Sequence, residues 1–467
     1  MYAALPVLAA TACTDFLTGG ELEDDPNRPT EASAENLFNG VQATTFLIWN
    51  GDFTRTASMW MQQMAGTGQQ YLGQGRYEID ESTFDGDFEF LYNQGGLTDN
   101  FKGQALARAG NDSLTLGILQ VYEGYNMGNA ASIWGALPYS QASQPEEFPT
   151  PELDAQSAIY AHVQTVLDEA IVNLNGAGAG PLNDLNFNGN SARWIAVAHT
   201  LKARFYMHWI EAQAAGVAGA ATACGGNCVQ KAHAEALLGI GSPAGDFKSR
   251  HTTTTGEENV WFQFIENQRP GYMNAGKFLV DLLTARNDPR LTEYFEPGGS
   301  AGGVIIGATN GTSTTGALAQ VNGDTRLRPD FDQPLVTWAE TQLILAETEA
   351  RGGGTLAVNE ASARTRVNNV RDAAGYTPDV TSTGAALLTD IITEKYIALF
   401  QSFEVWNDYK RTCLPRLPFN GFPGDVEIPG RLYYGVQERQ TNPNVPTVAE
   451  QDAQKRNEND PAACPFA

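Results

Sequence analysis

Five histidines, at positions 162, 199, 208, 233 and 251, are the whole imidazole complement of this chain. Imidazole is the commonest proton carrier and metal ligand near neutral pH, so a site built on it has few positions to draw on. His199 and His208 lie nine apart in one helical stretch, on different turns, which points to packing. His233 is five residues from Cys228, but no second cysteine pair stands at zinc-ligand spacing. The sequence contains no GxSxG elbow, HExxH pair, P-loop or dinucleotide fingerprint. Carboxylates are plentiful, yet none forms the local pair that would single out a glycosidase. Asp85-Gly86-Asp87 lacks the twelve-residue spacing of a calcium loop and reads as a turn. No catalytic constellation, metal site or cofactor site is expected.

The remaining chemistry is that of binding. The chain carries 8 Trp, 16 Tyr and 22 Phe, and such rings stack on the apolar faces of sugars and on peptide side chains, while amides and guanidiniums fork to hydroxyls. Trp49, Trp134, Trp194, Trp209, Trp338 and Trp406 fall on or beside helical apolar stripes and are expected in the core. Two loops differ. One sets Trp261, Asn267, Arg269 and Tyr272 among Phe262, Phe264, Glu266 and Gln268; the other sets Gln69, Tyr71, Arg76 and Tyr77 around Gln70 and Gln74. Those first-named eight residues are the candidate ligand-binding set.

The elements that must position these loops read mainly as α-helices. Thr30 to Ser33 after Pro29 is a helix start, and Leu37, Val41, Thr44 and Ile48 follow at helical spacing towards Trp49. Further helical patterns cover about 54–65, 98–109, 113–131, 155–175, 191–214, 273–286, 336–351, 358–373 and 384–402. Strands are few and short. The pairs 113–131 with 155–175 and 336–351 with 358–373 look like degenerate tetratricopeptide-like hairpins. Between the helices run long Gly/Asn/Thr-rich loops, notably 66–97, 176–190, 215–229, 241–271 and 298–330, where binding surface is expected.

Composition limits the partners. With 29 Lys+Arg against 54 Asp+Glu the net charge is −25, which argues against nucleic acid and disfavours polyanions. At 42% hydrophobic and 18% charged, the chain can bury a large core. Residues 1–13 form an apolar run ending in small residues, of signal-peptide character, and Ala10-Thr11-Ala12-Cys13 looks like a bacterial lipobox. Ala10 replaces the usual Leu and no basic residue precedes the run, as a start codon placed too late would leave it. Cys13 is the expected lipidation site. Four cysteines remain, an even number in an exported chain, and two disulfides are expected, a local one between Cys224 and Cys228 and a distant one between Cys413 and Cys464.

Several segments carry a family likeness. They are Asp25-Pro26-Asn27-Arg28-Pro29-Thr30; Trp134-Gly135-Ala136-Leu137-Pro138-Tyr139; Asn188-Gly189-Asn190 before Trp194 and Arg204; Asp288-Pro289-Arg290; Glu340 to Gly352; Glu394-Lys395-Tyr396 through Glu404, Trp406 and Arg411; and Arg431 to Tyr434. In this order they make the chain resemble the SusD/RagB-like family of outer-membrane nutrient-binding lipoproteins. The resemblance implies a tetratricopeptide-like helical superhelix, lipid-tethered to the outer membrane and facing outward, that closes over a SusC-like TonB-dependent transporter and does no covalent chemistry. It implies a signal peptide over 1–12, a lipidated tether over 13–29 and one domain over 30–467. The expected role is capture of an oligosaccharide, neutral given the charge, for delivery to the transporter. The alternatives are a peptide ligand, as in RagB, or a structural surface protein assembling into a layer or filament. Glu394, Glu404 and Arg411 read as scaffold anchors on one helix.

Overall fold

The computed structural model describes residues 32–460 and Cys464. The signal-like run, Cys13, the tether and the 25–30 segment lie outside the described residues. Helix α1 (Ala34–Asn50) begins where Ser33 accepts a hydrogen bond from the Asn36 amide at 3.2 Å, and it buries Leu37, Phe38, Val41 and Trp49. It breaks at Gly51, where a Cβ would meet the Leu47 carbonyl oxygen at 2.5 Å, and the chain restarts as α2 (Asp52–Trp60). Sequence periodicity carries that helix on to residue 65. The structure instead turns the last residues into strand β1 (Met64–Gly66).

The centre of the molecule is α4 (Ser113–Trp134), which follows α3 (Leu97–Ala109) and is buried on every side from Thr115 onward. Three of its glycines set the packing distance. A Cβ at Gly117 would strike Leu174 at 2.8 Å, one at Gly124 would strike Leu167 at 2.7 Å, and one at Gly128 would strike the Phe205 ring at 2.2 Å. The pairings Gly117 with Leu174 and Gly124 with Leu167 run in opposite directions, so α5 (Gln156–Leu174) lies antiparallel on α4, one of the two expected hairpins. Burial on all sides also encloses polar groups of α4, and those of Glu123 and Asn126 find partners. Glu123 accepts from Tyr139 Oη at 2.6 Å and Gln104 Nε2 at 2.5 Å, while Asn126 accepts from the Trp49 indole at 2.7 Å.

Phe205 belongs to α6 (Ser191–Met207), capped by the Asn190 side chain. The expected helix over 191–214 breaks at His208 and Trp209 and resumes as a short turn, Ile210–Ala214. His208 is buried between Tyr160 Oη and Glu404, each at 2.8 Å, a packing role. The stretch 215–229, expected as loop, holds a short helix Gly219–Cys224 and the start of α7 (Cys228–Ala236), joined by the Cys224–Cys228 disulfide.

The second hairpin is α8 (Trp338–Arg351) with α9 (Glu360–Ala373), and α10 (Gly384–Ala398) closes a satellite core of Leu343, Val367, Val370, Leu387 and Ile391. Helix α8 ends at Gly352, in a positive-φ conformation (φ +64°) suited to glycine. Glu394 and Glu404 do not share one helix. The chain breaks after Ala398, and Glu404 starts α11 (Glu404–Thr412). Elsewhere in the scaffold buried acids meet guanidiniums from distant segments. Arg411 makes two bonds of 2.6 Å to Glu347, Arg204 two of 2.5 Å to Glu340, and Glu394 takes Arg290 at 2.6 Å and Arg371 at 2.8 Å. Burial alone would raise the Glu347 carboxyl, but Arg411 and Arg351 hold it down at about 2.

Among the described residues the strands form three two-stranded antiparallel ribbons, β1 with β3 (Met273–Ala275), β2 (Phe247–Ser249) with β6 (Gln333–Val336), and β4 (Phe295–Glu296) with β5 (Gln320–Val321). Thus residues 273–275, expected to open a helix, are strand, and that helix begins at Lys277. A second disulfide joins Cys413 to Cys464. Among the described residues no helix is long and apolar enough to cross a membrane.

Candidate ligand-binding site

Two hundred residues of sequence separate the candidate loops, and a three-residue ribbon brings them together. In the β1/β3 pair Met64 faces Ala275 and Gly66 faces Met273, so the chain leaving β1 runs beside the chain entering β3. The Thr67 amide donates to the Tyr272 carbonyl at 2.8 Å, and the Thr67 hydroxyl bonds Asn274 Oδ1 at 2.8 Å. At Gly68 a Cβ would lie 2.9 Å from the Gly271 carbonyl oxygen, so glycine permits the approach. A third loop joins through Asn310, which accepts from the Gly66 amide at 2.7 Å and donates to the Met59 carbonyl at 2.8 Å. The backbone polar groups of these loops are thereby paired without extending the sheet.

These loops and α2 enclose a cavity of about 960 Å³. Its inner wall is a triad. Arg55 and Asp52, three apart on α2, form an ion pair; the Tyr71 hydroxyl donates to Asp52 at 2.8 Å and accepts from Arg55 Nε at 3.0 Å. The Tyr71 ring stacks on Phe264 at 5.2 Å, and the Arg55 guanidinium lies 4.1 Å from the Phe264 ring centre. Burial works against both charges, but each holds the other: Asp52 is kept below the ordinary carboxylate range by Arg55, and Arg55 is kept above its ordinary value by Tyr71 and Asp52. Burial first, and then the nearby Asp52 charge, push Asp87 up to about 7. Asp85-Gly86-Asp87 is no free turn: it opens the helix Asp85–Tyr92, where carboxylates meet the positive end of the helix.

The structure divides the eight expected binding residues. Gln69, Tyr71, Arg76 and Arg269 all line the cavity, although 193 positions separate Arg76 from Arg269. Tyr71 offers only its hydroxyl edge, since it is 2% exposed and its ring is covered by Phe264 and Tyr272. Trp261 is a correction: at 0% exposure its ring belongs to the core, and Asn259 caps its backbone amide at 2.8 Å. Tyr77 is another. In a left-handed conformation (φ +74°), it packs edge-on to Trp60 and borders a separate hollow with Asp425 and Arg431. Tyr272 stands behind the wall against Tyr71 and Phe264, and Asn267 is exposed but does not line the cavity.

Residues not selected from sequence complete the wall. Arg55 was hidden in a stretch read as scaffold helix and Asp52 just before its expected start, and their spacing of three was the available signal. Phe422 comes from a loop more than 300 residues away and packs 3.7 Å beneath the Arg76 guanidinium, a contact no local pattern announces. Phe264 and Gln268 sit on a π-helical turn, Gln263–Gln268, whose five-residue step is closed by the Arg269 amide on the Phe264 carbonyl at 2.7 Å. What the cavity assembles is an amide- and guanidinium-rich surface over aromatic floors, suited to hydrogen-bonding a polar ligand. Among the described residues no group of three or more His, Cys, Asp or Glu could hold a metal ion.

Comparison with known proteins places this architecture. A family model described as "Starch-binding associating with outer membrane", SusD-like, matches residues 26–435. A chitin-binding SusD homologue from Flavobacterium johnsoniae superposes with a TM-score of 0.73 at 17% identity, over 91% of this chain and 98% of that one. A SusD/RagB family protein from Bacteroides thetaiotaomicron gives 0.70 at 19% identity, over 93% and 98%. A Bacteroidetes SusD-like protein, AC2a, gives 0.72 at 17%, over 92% and 100%. Among curated protein sequences none matches. With the family model covering most of its length and these structures sharing its fold, the chain belongs to the SusD-like family.

Proposed function

We propose that this protein is a non-catalytic, surface-exposed glycan-binding protein that captures oligosaccharides in the cavity between α2 and the two loops and delivers them to a SusC-like TonB-dependent transporter. The observation that carries the reading is the cavity itself: about 960 Å³, of a size that accepts several sugar units, walled by Gln69, Gln70, Gln268 and the Asp52–Arg55–Tyr71 triad. Hydroxyls are bound by pre-placed donors and acceptors, and the Asp52–Arg55–Tyr71 triad is locked by its own bonds before any ligand arrives, which lowers the ordering cost of binding. The family description and the chitin-binding relative support a carbohydrate over a peptide.

In this reading Cys13 carries the lipid that anchors the chain to the outer membrane, with the multiple acyl chains of a bacterial lipoprotein giving a firm hold. The test is a saccharide array followed by calorimetry. At least one oligosaccharide class is expected to bind, and the double variant Gln69→Ala/Gln268→Ala to weaken it about tenfold with an unchanged melting temperature. Binding of oligopeptides with indifference to every saccharide would overturn the assignment. Isolation from outer membranes should recover the chain with a large barrel, and Cys13→Ala should release it.

A further inference from the structure

The cavity wall carries an excess of positive charge in a molecule that is acidic as a whole. The chain's net charge is −25, and several guanidiniums elsewhere stand against carboxylates, as Arg250 does with Asp332, Arg328 with Asp330 and Arg326 with Glu293, whereas exposed Arg193 and Arg416 stand on open surface without one among the described residues. Arg76 and Arg269 have no carboxylate partner among the described residues, and both line the cavity. Of the other charged groups on its wall, Asp52 and Arg55 neutralise each other, leaving two guanidiniums against the single carboxylate of Glu78.

Arg76 is held in place. Its guanidinium lies 3.7 Å from the Phe422 ring centre, one Nη donates to the Gly421 carbonyl at 3.3 Å, and its stem passes so close to Gly311 (φ +80°) that a Cβ there would lie 2.6 Å from Arg76 Cδ. One donor of the five is thus spent on the protein and the rest are left for a ligand. Arg269, at the exposed rim, lies 5.8 Å from the Tyr272 ring centre and uses one Nη on the Gln268 carbonyl at 3.1 Å. Arginines with free donor edges match carboxylates in planar, two-point geometry.

From this geometry we infer that the occupant is a uronate-bearing oligosaccharide, its carboxylate held by Arg76 and Arg269 and its hydroxyls by the glutamine amides. This rests on reading the cavity as a saccharide site, and it replaces the neutral sugar expected from net charge with an acidic one. The excess of one guanidinium suits isolated carboxylates. A densely sulfated chain would meet the repulsion of the whole molecule.

The test is calorimetry with fragments of pectin, glucuronoxylan and alginate, each beside its carboxyl-reduced counterpart, together with neutral oligosaccharides and acidic oligopeptides. At least one uronate fragment should bind tenfold or more tighter than its reduced form, and progressively more weakly as salt is raised. Arg76→Gln and Arg269→Gln should each weaken the acid form about tenfold and leave the reduced form alone. Arg193→Gln, an exposed guanidinium away from the cavity, should change neither. Unchanged melting temperatures exclude misfolding, and Arg76→Lys should restore part of the loss. Equal binding of acid and reduced forms, or of neutral sugars, would overturn the uronate assignment and leave the saccharide site standing. Binding of acidic peptides alone, or of nothing offered, would overturn both.

Discussion

The same residue type works in opposite ways in two regions of this molecule. In the helical scaffold, Arg411, Arg204 and Arg290 are buried and bonded to Glu347, Glu340 and Asp288 at 2.5 to 2.9 Å. Around the cavity, Arg76 and Arg269 lie on aromatic rings with donors facing solvent. A buried guanidinium needs carboxylates, because its desolvation is otherwise uncompensated, and each such pair fixes how two distant helices meet. An accessible one keeps its water until a ligand displaces it. Burial thus separates the arginines that hold the fold from those available to a partner.

The largest blow to this contrast comes from the scaffold side. Arg411→Met takes from buried Glu347 and Asp408 the guanidinium they share, leaving them only Arg351 and Lys395, and unfolding in denaturant should show a loss of about 3–5 kcal/mol. A loss under about 1 kcal/mol would erase the distinction between the two regions. Trp261→Ala should cost a similar amount, about 3–5 kcal/mol, through the hole left in the core. Its saccharide affinity, measured where the variant is still folded, should be close to that of the parent. Were the affinity to collapse while stability held, Trp261 would belong with the cavity after all.

Acid should dissolve the scaffold before it alters the cavity wall. The Glu347 carboxyl sits at about 2 in the folded chain and near its ordinary 4.5 when unfolded. A depressed acid contributes stability above the unfolded value, and that contribution fades as pH falls from about 4.5 towards 2. The melting temperature should drop across that window, and Glu347→Gln should flatten the drop. A smaller effect is expected at the boundary between the regions. Tyr71→Phe removes a hydroxyl shared by Asp52 and Arg55, costing about 1–2 kcal/mol and weakening saccharide binding as Arg55 loosens. Smallest of all, Asn267→Ala should stay within about 0.5 kcal/mol and leave binding unchanged, because that side chain is exposed and off the cavity wall.

The helical scaffold was legible because its signals are local. Periodicity placed both hairpins to within a few residues, and the core tryptophans followed from apolar stripes; Trp338 alone among the six is only partly covered. Breaks were harder to read. The interruption at His208 and the gap between Ala398 and Glu404 serve buried contacts to Glu404, which local propensity does not register. The cavity was legible in part. Loop composition pointed to Gln69, Arg76 and Arg269, but it could not tell Tyr77 from Arg76 beside it, since a left-handed turn sends neighbouring side chains to different hollows.

Sequence alone determined that this chain is a helical, acidic protein with family motifs in a fixed order and no local catalytic pattern, because these depend on residue type and on spacings within a turn or two. Tertiary structure alone decided which of the loop aromatics face inward and which guanidiniums go without a carboxylate. The reason is physical: solvent exposure and charge pairing are set by segments hundreds of residues apart, such as Phe422 under Arg76 and Glu347 against Arg411, that meet only when the chain has folded.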